Sequence, residues 1–319
     1  LSGYAFHTRW CQSDGKPTGC PGSVSLEQGF LLGAFSEHSG WQLEILIAQG
    51  WDKPEMQRAI PGILESIDAG RPVIIEDRII NASVLYGYID QGDQFLLNTY
   101  MDGEIEANLT ELSQDPAYAF ILKTYAEPPP FADVFRSILN NAITWWHLAH
   151  EPDTCGGPGM RIGRVALENW ARFYDTIDEL ALNYSRGKAG LLYNSLMNYQ
   201  HLYENRKAAA SFLSRNATRF PQVEQMIRKA ADLYRAEAEV LASALDLDDD
   251  AWRELNTVRS ALVERSPESV HWEETRTVEP TDAWTFELQK RERRIMEQAL
   301  KLETAAIQVL KTIHAVIGA

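Results

Sequence analysis

The stretch AYAFILKTYAEPPPFADVFRSILNNA, residues 117–142, changes its pattern at Pro128, Pro129 and Pro130. Before the prolines, residues 118–125 alternate between side-chain types in the way that predicts a β-strand. After them, apolar residues recur at helical spacing and predict an α-helix. Three consecutive prolines extend neither a sheet nor a helix, because proline lacks the backbone N–H and has a fixed φ. We therefore place a domain boundary here.

The segment before the boundary, residues 1–127, mixes strand and helix patterns. Helices are predicted at 24–35, with Ser23 as N-cap, and at 54–69. The sequence Asp-Gln-Gly-Asp at 90–93 is typical of a hairpin turn. Residues 102–108 are polar and acidic, and no strand is assigned to them. Strands are predicted at 4–9, 41–48, 72–76, 83–89, 94–100 and 118–125. This domain is therefore expected to be α+β, an antiparallel sheet with packed helices.

The segment after the boundary, residues 131–319, is predicted to be an all-α helical bundle. The last helix has an apolar residue at every seventh position, which predicts a buried seam. These residues are Leu288, Ile295, Leu302 and Val309, with Met296, Ala299 and Ala306 beside them. A chain of 319 residues is long enough for two such domains. Helices are predicted at 131–150, 164–184, 188–216, 223–245, 250–264 and 283–317.

The charge of the chain argues against nucleic acid as a partner. With 30 Lys+Arg and 45 Asp+Glu the net charge is -15, which repels a phosphate backbone. Residues 1–127 hold 7 Lys+Arg against 18 Asp+Glu, a net of -11, and the remainder holds 23 against 27, a net of -4. The first domain therefore carries most of the negative charge.

Hydropathy and cysteine content predict a cytoplasmic protein. No window approaches 18 uninterrupted apolar residues, so no membrane span is expected. Three cysteines suit a reducing compartment, and a disulfide closing the loop between Cys11 and Cys20 is the alternative. The sequence begins at Leu1 without a basic segment followed by an apolar one, so we expect no signal peptide there.

Cys20 is a candidate nucleophile because it precedes the predicted N-cap Ser23. The free N–H groups and the dipole of a helix N-terminus favour a thiolate. Gln12 is a candidate oxyanion donor. A nucleophile also needs a base, and the first domain offers only His7 and His38, whose approach to Cys20 the sequence does not specify. A structural cysteine is the alternative interpretation.

Other polar clusters do not predict a cofactor or a metal. The glycine-rich segment 154–159 lacks the Gly-Lys-Ser/Thr ending of a phosphate-binding loop. His147 and His150 have a spacing that permits metal binding, but no third ligand is specified. The acidic tract 264–279 is interpreted as a solvated loop. Trp146, Trp170, Tyr174, Tyr193 and Tyr199 lie on successive predicted helices and either pack in the core or line a cleft facing the sheet.

Several stretches together resemble a known family. Its members have the amino-terminal domain of the butirosin-biosynthesis acyltransferase, a papain-like fold related to leader-processing cysteine peptidases, joined to a helical carboxy-terminal domain. The resemblance covers most of the chain and implies a papain-like sheet in the first domain. It rests on residues 1–6 (LSGYAF), 69–74 (AGRPVI), 85–90 (LYGYID), 164–170 (RVALENW) and 205–210 (NRKAAA).

The resemblance also implies a thiol site. The family has a Cys that opens a helix, a His at the start of the strand leading into Gly-Tyr-Asp, and an Asp or Asn on the next strand. Asn98 matches the last element, whereas Asn81 stands at the His position and cannot accept a proton at neutral pH. The family's Cys-bearing helix precedes the Ser-Gly-x-Ala-Phe stretch, so its counterpart would lie upstream of Leu1.

Two functions remain open. The first is a bacterial thiol-dependent acyl or amide transferase or peptidase of natural-product biosynthesis, with Cys20, Asn98, Asn81 and Gln12 at its site. The second is a catalytically degenerate homologue that acts as a ligand-binding or regulatory module. Either would take a small molecule or a peptide, free or linked to a carrier protein, without a cofactor, and a homodimer is compatible with both. The residues expected to bind the substrate, in a cleft between the domains, are Tyr86, Tyr88, Trp146 and Trp170.

Overall fold

The computed structural model describes residues 6, 9–13, 16–17, 35–48, 53–76, 82–99, 103–109, 117–148, 160–183, 187–245, 249–265 and 281–318. The chain divides into two compact units. The sheet unit is Leu32–Pro129, and the helical unit combines Leu1–Leu31 with Pro130–Ala319. The sheet unit thus ends within the proline run. The first residues, however, group with the helices and not with the sheet.

The pairing of β1 (Arg9–Ser13) accounts for that difference. This strand lies between β2 (Lys16–Pro17) and β9 (Met160–Ile162) in a three-stranded antiparallel sheet, with Arg9 opposite Ile162. β9 belongs to the helical unit, so β1 does as well. Such pairing joins residues far apart in sequence, which local patterns do not specify. The strand predicted at 4–9 thus begins later, at Arg9.

The sheet unit contains a six-stranded antiparallel sheet. One helix, α1 (Pro54–Asp68), packs on it, and its Met56 and Ile63 are fully buried against sheet residues such as Val73 and Leu85. The strands are β3 (Trp41–Ala48), β4 (Val73–Glu76), β5 (Ala82–Ile89), β6 (Gln94–Thr99), β7 (Gly103–Ala107) and β8 (Ala117–Tyr125). Their order in the sheet is β3-β8-β4-β5-β6-β7.

Five of these strands and the β5–β6 turn confirm the sequence predictions within one residue or two. The edge strand β7 was missed, because only its last residue, Ala107, is buried, while Glu104 and Glu106 are exposed. Charged residues on an edge strand protect it from pairing with other chains. The helix predicted at 24–35 lies almost entirely outside the described residues.

Gly40 holds the start of strand β3 close to the end of its neighbour, β8. Its φ is +78°, and a Cβ added there would lie 2.1 Å from the carbonyl oxygen of Ala126. The N–H of Ala126 donates to the Gly40 carbonyl at 2.7 Å. Only glycine allows this approach, which joins the start of β3 to the residue after β8, just before the prolines.

The helical unit follows the predicted succession of helices with one difference. A single helix predicted at 164–184 is two helices, separated by a turn at Tyr174–Thr176 in which the Thr176 N–H and hydroxyl both bond to the Phe173 carbonyl. The helices are α2 (Phe131–His147), α3 (Gly163–Phe173), α4 (Ile177–Asn183), α5 (Gly187–Asn216), α6 (Glu224–Ala242), α7 (Asp250–Arg265) and α8 (Phe286–Ile317).

The buried stripe of α8 is shifted from the predicted seam. Leu288 is buried, but Ile295, Leu302 and Val309 are only half-buried. The most buried line passes through the neighbouring residues, which include three polar side chains among the apolar ones. This line consists of Leu288, Gln289, Glu292, Met296, Ala299, Glu303, Ala306, Ile307, Leu310 and Ile313. Among the helices that the structure describes, none is long and apolar enough to cross a bilayer.

Candidate functional site

The predicted thiol residues are only partly covered by the structure. Cys20 and Asn81 lie outside the described residues. Gln12 lies in β1 of the helical unit, where its backbone is opposite Pro17. Asn98 lies in β6 of the sheet unit. The catalytic roles of these four residues therefore stay predictions.

Asn98 is exposed on the face of the sheet opposite α1. Its neighbours along β6, Leu97 and Thr99, are buried, and Leu97 packs in the core against α1, so Asn98 points to the other side. Its cross-strand neighbours are Val84 on β5 and Glu104 on β7. Asn98 is thus flanked by an apolar side chain and a carboxylate. An Asn that orients a catalytic base needs an imidazole beside it, and neither of these two neighbours supplies one.

A patch of exposed apolar side chains adjoins Asn98. Ile74 on β4 is opposite Val84 on β5, and these residues are 45% and 40% exposed. Tyr86 follows on β5 and is 42% exposed. Large apolar side chains on adjacent strands, exposed to this extent, are typical of a binding surface. We call Ile74, Val84, Tyr86, Asn98 and Glu104 the outer-face patch.

Tyr88 belongs to the opposite face of the sheet. The register of β5 and β6 shifts between Leu85 and Gly87, which inserts Tyr86 as an extra residue. Tyr88 therefore lies opposite Phe95 and packs against the core beneath α1. Its hydroxyl donates to Asp68 Oδ1 at 2.8 Å, and this hydrogen bond raises the pKa of the phenol. The bulge separates the two tyrosines that the sequence placed together.

Trp146 and Trp170 are core residues of the helical unit, with 5% and 1% of their surface exposed. Trp170 Nε1 donates to the hydroxyl of Tyr174 at 3.0 Å, and that oxygen lies 3.3 Å from Ser195 Oγ. The ring of Trp170 also meets Tyr199 edge to face. At this burial the two tryptophans serve packing, and their contact with a substrate stays a prediction.

The sequence reasoning missed a buried charged cluster in the helical unit. Arg206 on α5, Glu237 on α6 and Glu303 on α8 are 0%, 0% and 1% exposed. Arg206 Nε donates to Glu237 Oε1 at 2.9 Å, and Arg206 Nη2 donates to Glu303 Oε2 at 2.5 Å. The guanidinium also lies 5.7 Å from the ring centre of Tyr234. A signal was present, because Glu237 is in phase with Ala230, Tyr234 and Leu241 on the apolar stripe of α6.

This cluster holds one cation and two carboxyl groups away from water. Burial raises the pKa of Glu237 well above its usual value, Arg206 opposes that rise, and Glu303 adds to it. A buried unit of one guanidinium and two carboxylates would carry a net negative charge, and burial disfavours such a charge. Burial also raises the pKa of Tyr234, whose hydroxyl has no hydrogen-bond partner among the residues that the structure describes. The cluster is therefore a structural element in which burial favours the protonated form of Glu237.

Among the described residues, no group of three or more His, Cys, Asp or Glu side chains is placed to hold a metal ion. His147 is exposed at the end of α2, and partial desolvation with the nearby Lys311 and Arg164 lowers its pKa. His150 and the glycine-rich segment 154–159 lie outside the described residues.

The structure thus defines an α+β protein whose sheet unit carries an exposed apolar and polar patch. Comparison with protein-family models, curated proteins and solved structures finds no match. The resemblance to the butirosin-biosynthesis family therefore remains a prediction, as does a papain-like topology for the sheet.

Proposed function

We propose that the sheet unit is a ligand-binding module, a catalytically degenerate relative of the thiol enzymes that it resembles. The observation that supports this function is a row of side chains on four adjacent strands. It runs from Ile74 and Val84, through Asn98, to Glu104. Along this row the side chains change from apolar to an amide and then to a carboxylate. This order suits a ligand that is apolar at one end and charged at the other.

The row indicates which ligand chemistry would fit. Val84 and Tyr86 offer an apolar surface to an aliphatic or aromatic group. The amide of Asn98 both donates and accepts hydrogen bonds, and the carboxylate of Glu104 attracts a cation. Strands lie about 4.8 Å apart, so Val84 and Glu104 are separated by about 10 Å. A small aryl or alkyl ammonium ion, or a peptide bearing such a group, matches this spacing and the net charge of -11 over residues 1–127.

A titration with phenethylammonium, followed by amide chemical shifts in NMR spectra, tests this function. We expect saturable shifts centred on Val84, Tyr86 and Asn98, and weaker ones with 2-phenylethanol, which lacks the charge. Asn98→Ala should weaken binding. Gln94→Ala is the matched control, because Gln94 is also an exposed polar residue of β6 but lies about 13 Å along the strand. Shifts scattered over the whole surface, or equal losses in both variants, would rule out the patch.

One observation favours the thiol function as a second candidate. β6, which carries Asn98, lies directly beside β5, and the resemblance requires this order for the strands that carry the His position and the Asn. In that case the Cys20 thiolate would form a thioester with the acyl carbon of a small molecule or peptide, and the bond from that carbon to the leaving alcohol or amine would break. The leaving group would take a proton from water or from a group other than Asn81, which cannot transfer one.

Cysteine labelling separates the two functions. In a thiol enzyme, iodoacetamide at neutral pH should modify one cysteine rapidly and stoichiometrically, as measured by intact mass, and Cys20→Ser should remove that label. Slow modification of all three cysteines would reject the thiol function and leave ligand binding unaffected.

A further inference from the structure

A surface groove between α5 and α6 forms a second site in the helical unit, unrelated to the sheet. Its volume is about 450 Å³. Ala210 on α5 and Ala238 on α6 lie at its base, and both are almost fully buried. Because these side chains are small, a depression remains where the two helices meet. Small-molecule sites combine an apolar base of this kind with polar groups that orient the ligand.

Cationic side chains form the rim of the α5–α6 groove. Lys207, Ser211 and Arg215 follow one another at i, i+4 and i+8 along α5, so they share one face of that helix. Arg235 reaches across from α6, where its Nη2 donates to Ser214 Oγ at 3.4 Å. Two guanidinium groups and two hydroxyls therefore line the groove.

The charges around this rim are not fully compensated. Lys207 pairs with Glu204 at 3.1 Å, and Arg235 pairs with Asp232. Within the described part of the chain, no carboxylate forms an ion pair with Arg215. Arg215 is therefore the cation of this rim that has no ion-pair partner among the described residues. An anionic ligand is the kind of ligand that such a cation attracts.

We propose that the α5–α6 groove binds an amphipathic carboxylate, a free acyl anion of medium chain length. The carboxylate head lies between Arg215 and Arg235, since guanidinium groups bind carboxylates through two parallel hydrogen bonds. The hydroxyls of Ser211 and Ser214 donate to the same head. The alkyl chain lies along the base formed by Ala210 and Ala238.

Calorimetric titration of the full chain with decanoate tests this inference. We expect one site that binds decanoate at least tenfold more tightly than decanol, with an affinity that falls as salt rises. Arg215→Gln and Arg235→Gln should each weaken decanoate binding about tenfold. The matched control is Arg228→Gln, because Arg228 is an exposed arginine of α6 that is paired with Glu224 outside the groove. It should bind decanoate as the unaltered protein does.

A second variant tests whether decanoate occupies the groove itself. Ser211 is half-buried in the wall of the groove, so Ser211→Leu fills the space without removing a charge. We expect this variant to lose decanoate binding while its circular dichroism spectrum is unchanged. Equal affinity for decanoate and decanol, or unaltered binding in Arg215→Gln and Arg235→Gln, would overturn the proposal. Neither result would affect the outer-face patch, which lies in the other unit.

Discussion

Arg206 Nε donates a hydrogen bond of 2.9 Å to Glu237 Oε1 inside the helical unit, where both side chains are fully buried. The same guanidinium reaches Glu303, so one cation joins α5, α6 and α8. A buried ion pair contributes little net stability relative to apolar residues, but removing one member leaves an uncompensated charge. The cluster therefore makes the packing of these three helices depend on the charge of each member.

Replacing Glu237 by Gln should remove a pH dependence of stability. The pKa of Glu237 is raised in the folded protein. Its contribution to the free energy of unfolding is therefore fully present below the pKa of the unfolded state, and it is lost as the pH rises through the pKa of the folded state. Gln resembles the protonated carboxyl and does not titrate. Urea unfolding between pH 5 and 7 should show the unaltered protein losing stability relative to the Glu237→Gln variant as the pH rises. Arg206, Glu303 and Tyr234 are the groups that face this carboxyl.

Glu239→Gln is the control for that experiment, since Glu239 is an exposed carboxylate on the same helix. Its stability should follow the unaltered protein at each pH. Parallel pH profiles for the Glu237 and Glu239 variants would show that Glu237 is ionised in the folded protein.

Arg206→Met should destabilise the helical unit by about 3–5 kcal/mol, because two buried carboxyl groups lose the cation of the cluster. Arg228→Met, which removes an exposed pair with Glu224, should cost less than about 1 kcal/mol. Urea unfolding at pH 7 measures both. A triple variant that combines Arg206→Met with Glu237→Leu and Glu303→Leu should recover most of the loss. A loss of stability that persists in the triple variant would show that the shape of the replaced side chains, rather than their charge, is responsible.

The sequence predicted those parts of the fold that depend on local pattern. Alternation located β3 and β8, and the turn residues at 90–93 located the β5–β6 hairpin. It did not predict the pairing of β1 with β9, which joins residues about 150 positions apart. The exposed edge strand β7 was also missed, since it is short and two of its five residues are Glu, which has a low strand propensity.

The candidate sites were predictable to a smaller extent. Asn98 and Tyr86 share an exposed face, but the bulge that turns Tyr88 to the other face leaves no clear mark in the sequence. Arg206 was missed because a charged residue is normally exposed. Only its three-dimensional neighbours, Glu237 and Glu303, explain why it is buried.

Gly40→Ala should destabilise the sheet unit far more than Gly70→Ala. Both glycines have φ above +70°, but a Cβ at Gly70 meets nothing within 4 Å, whereas one at Gly40 meets the Ala126 carbonyl. The strain of a left-handed alanine alone is about 1–2 kcal/mol, which is the loss expected for Gly70→Ala. Gly40→Ala adds a backbone collision and should cost at least about 3 kcal/mol in calorimetric unfolding. Equal losses would mean that β3 shifts away from Ala126 at little cost.

Substitutions of the two tyrosines of β5, Tyr86 and Tyr88, should separate an effect on ligand binding from an effect on a structural contact. Tyr86→Ala removes a ring from the outer-face patch, so it should weaken phenethylammonium binding several-fold. Because Tyr86 is 42% exposed and lies outside the buried core beneath α1, the loss of stability should be small compared with that of a core substitution. Tyr88→Phe removes the hydrogen bond to Asp68 on the opposite face, and it should leave ligand affinity unchanged. Chemical-shift titrations of both variants provide the measurement. If Tyr88→Phe weakens binding as much as Tyr86→Ala does, the ligand does not distinguish the two faces, and the patch is not the binding site.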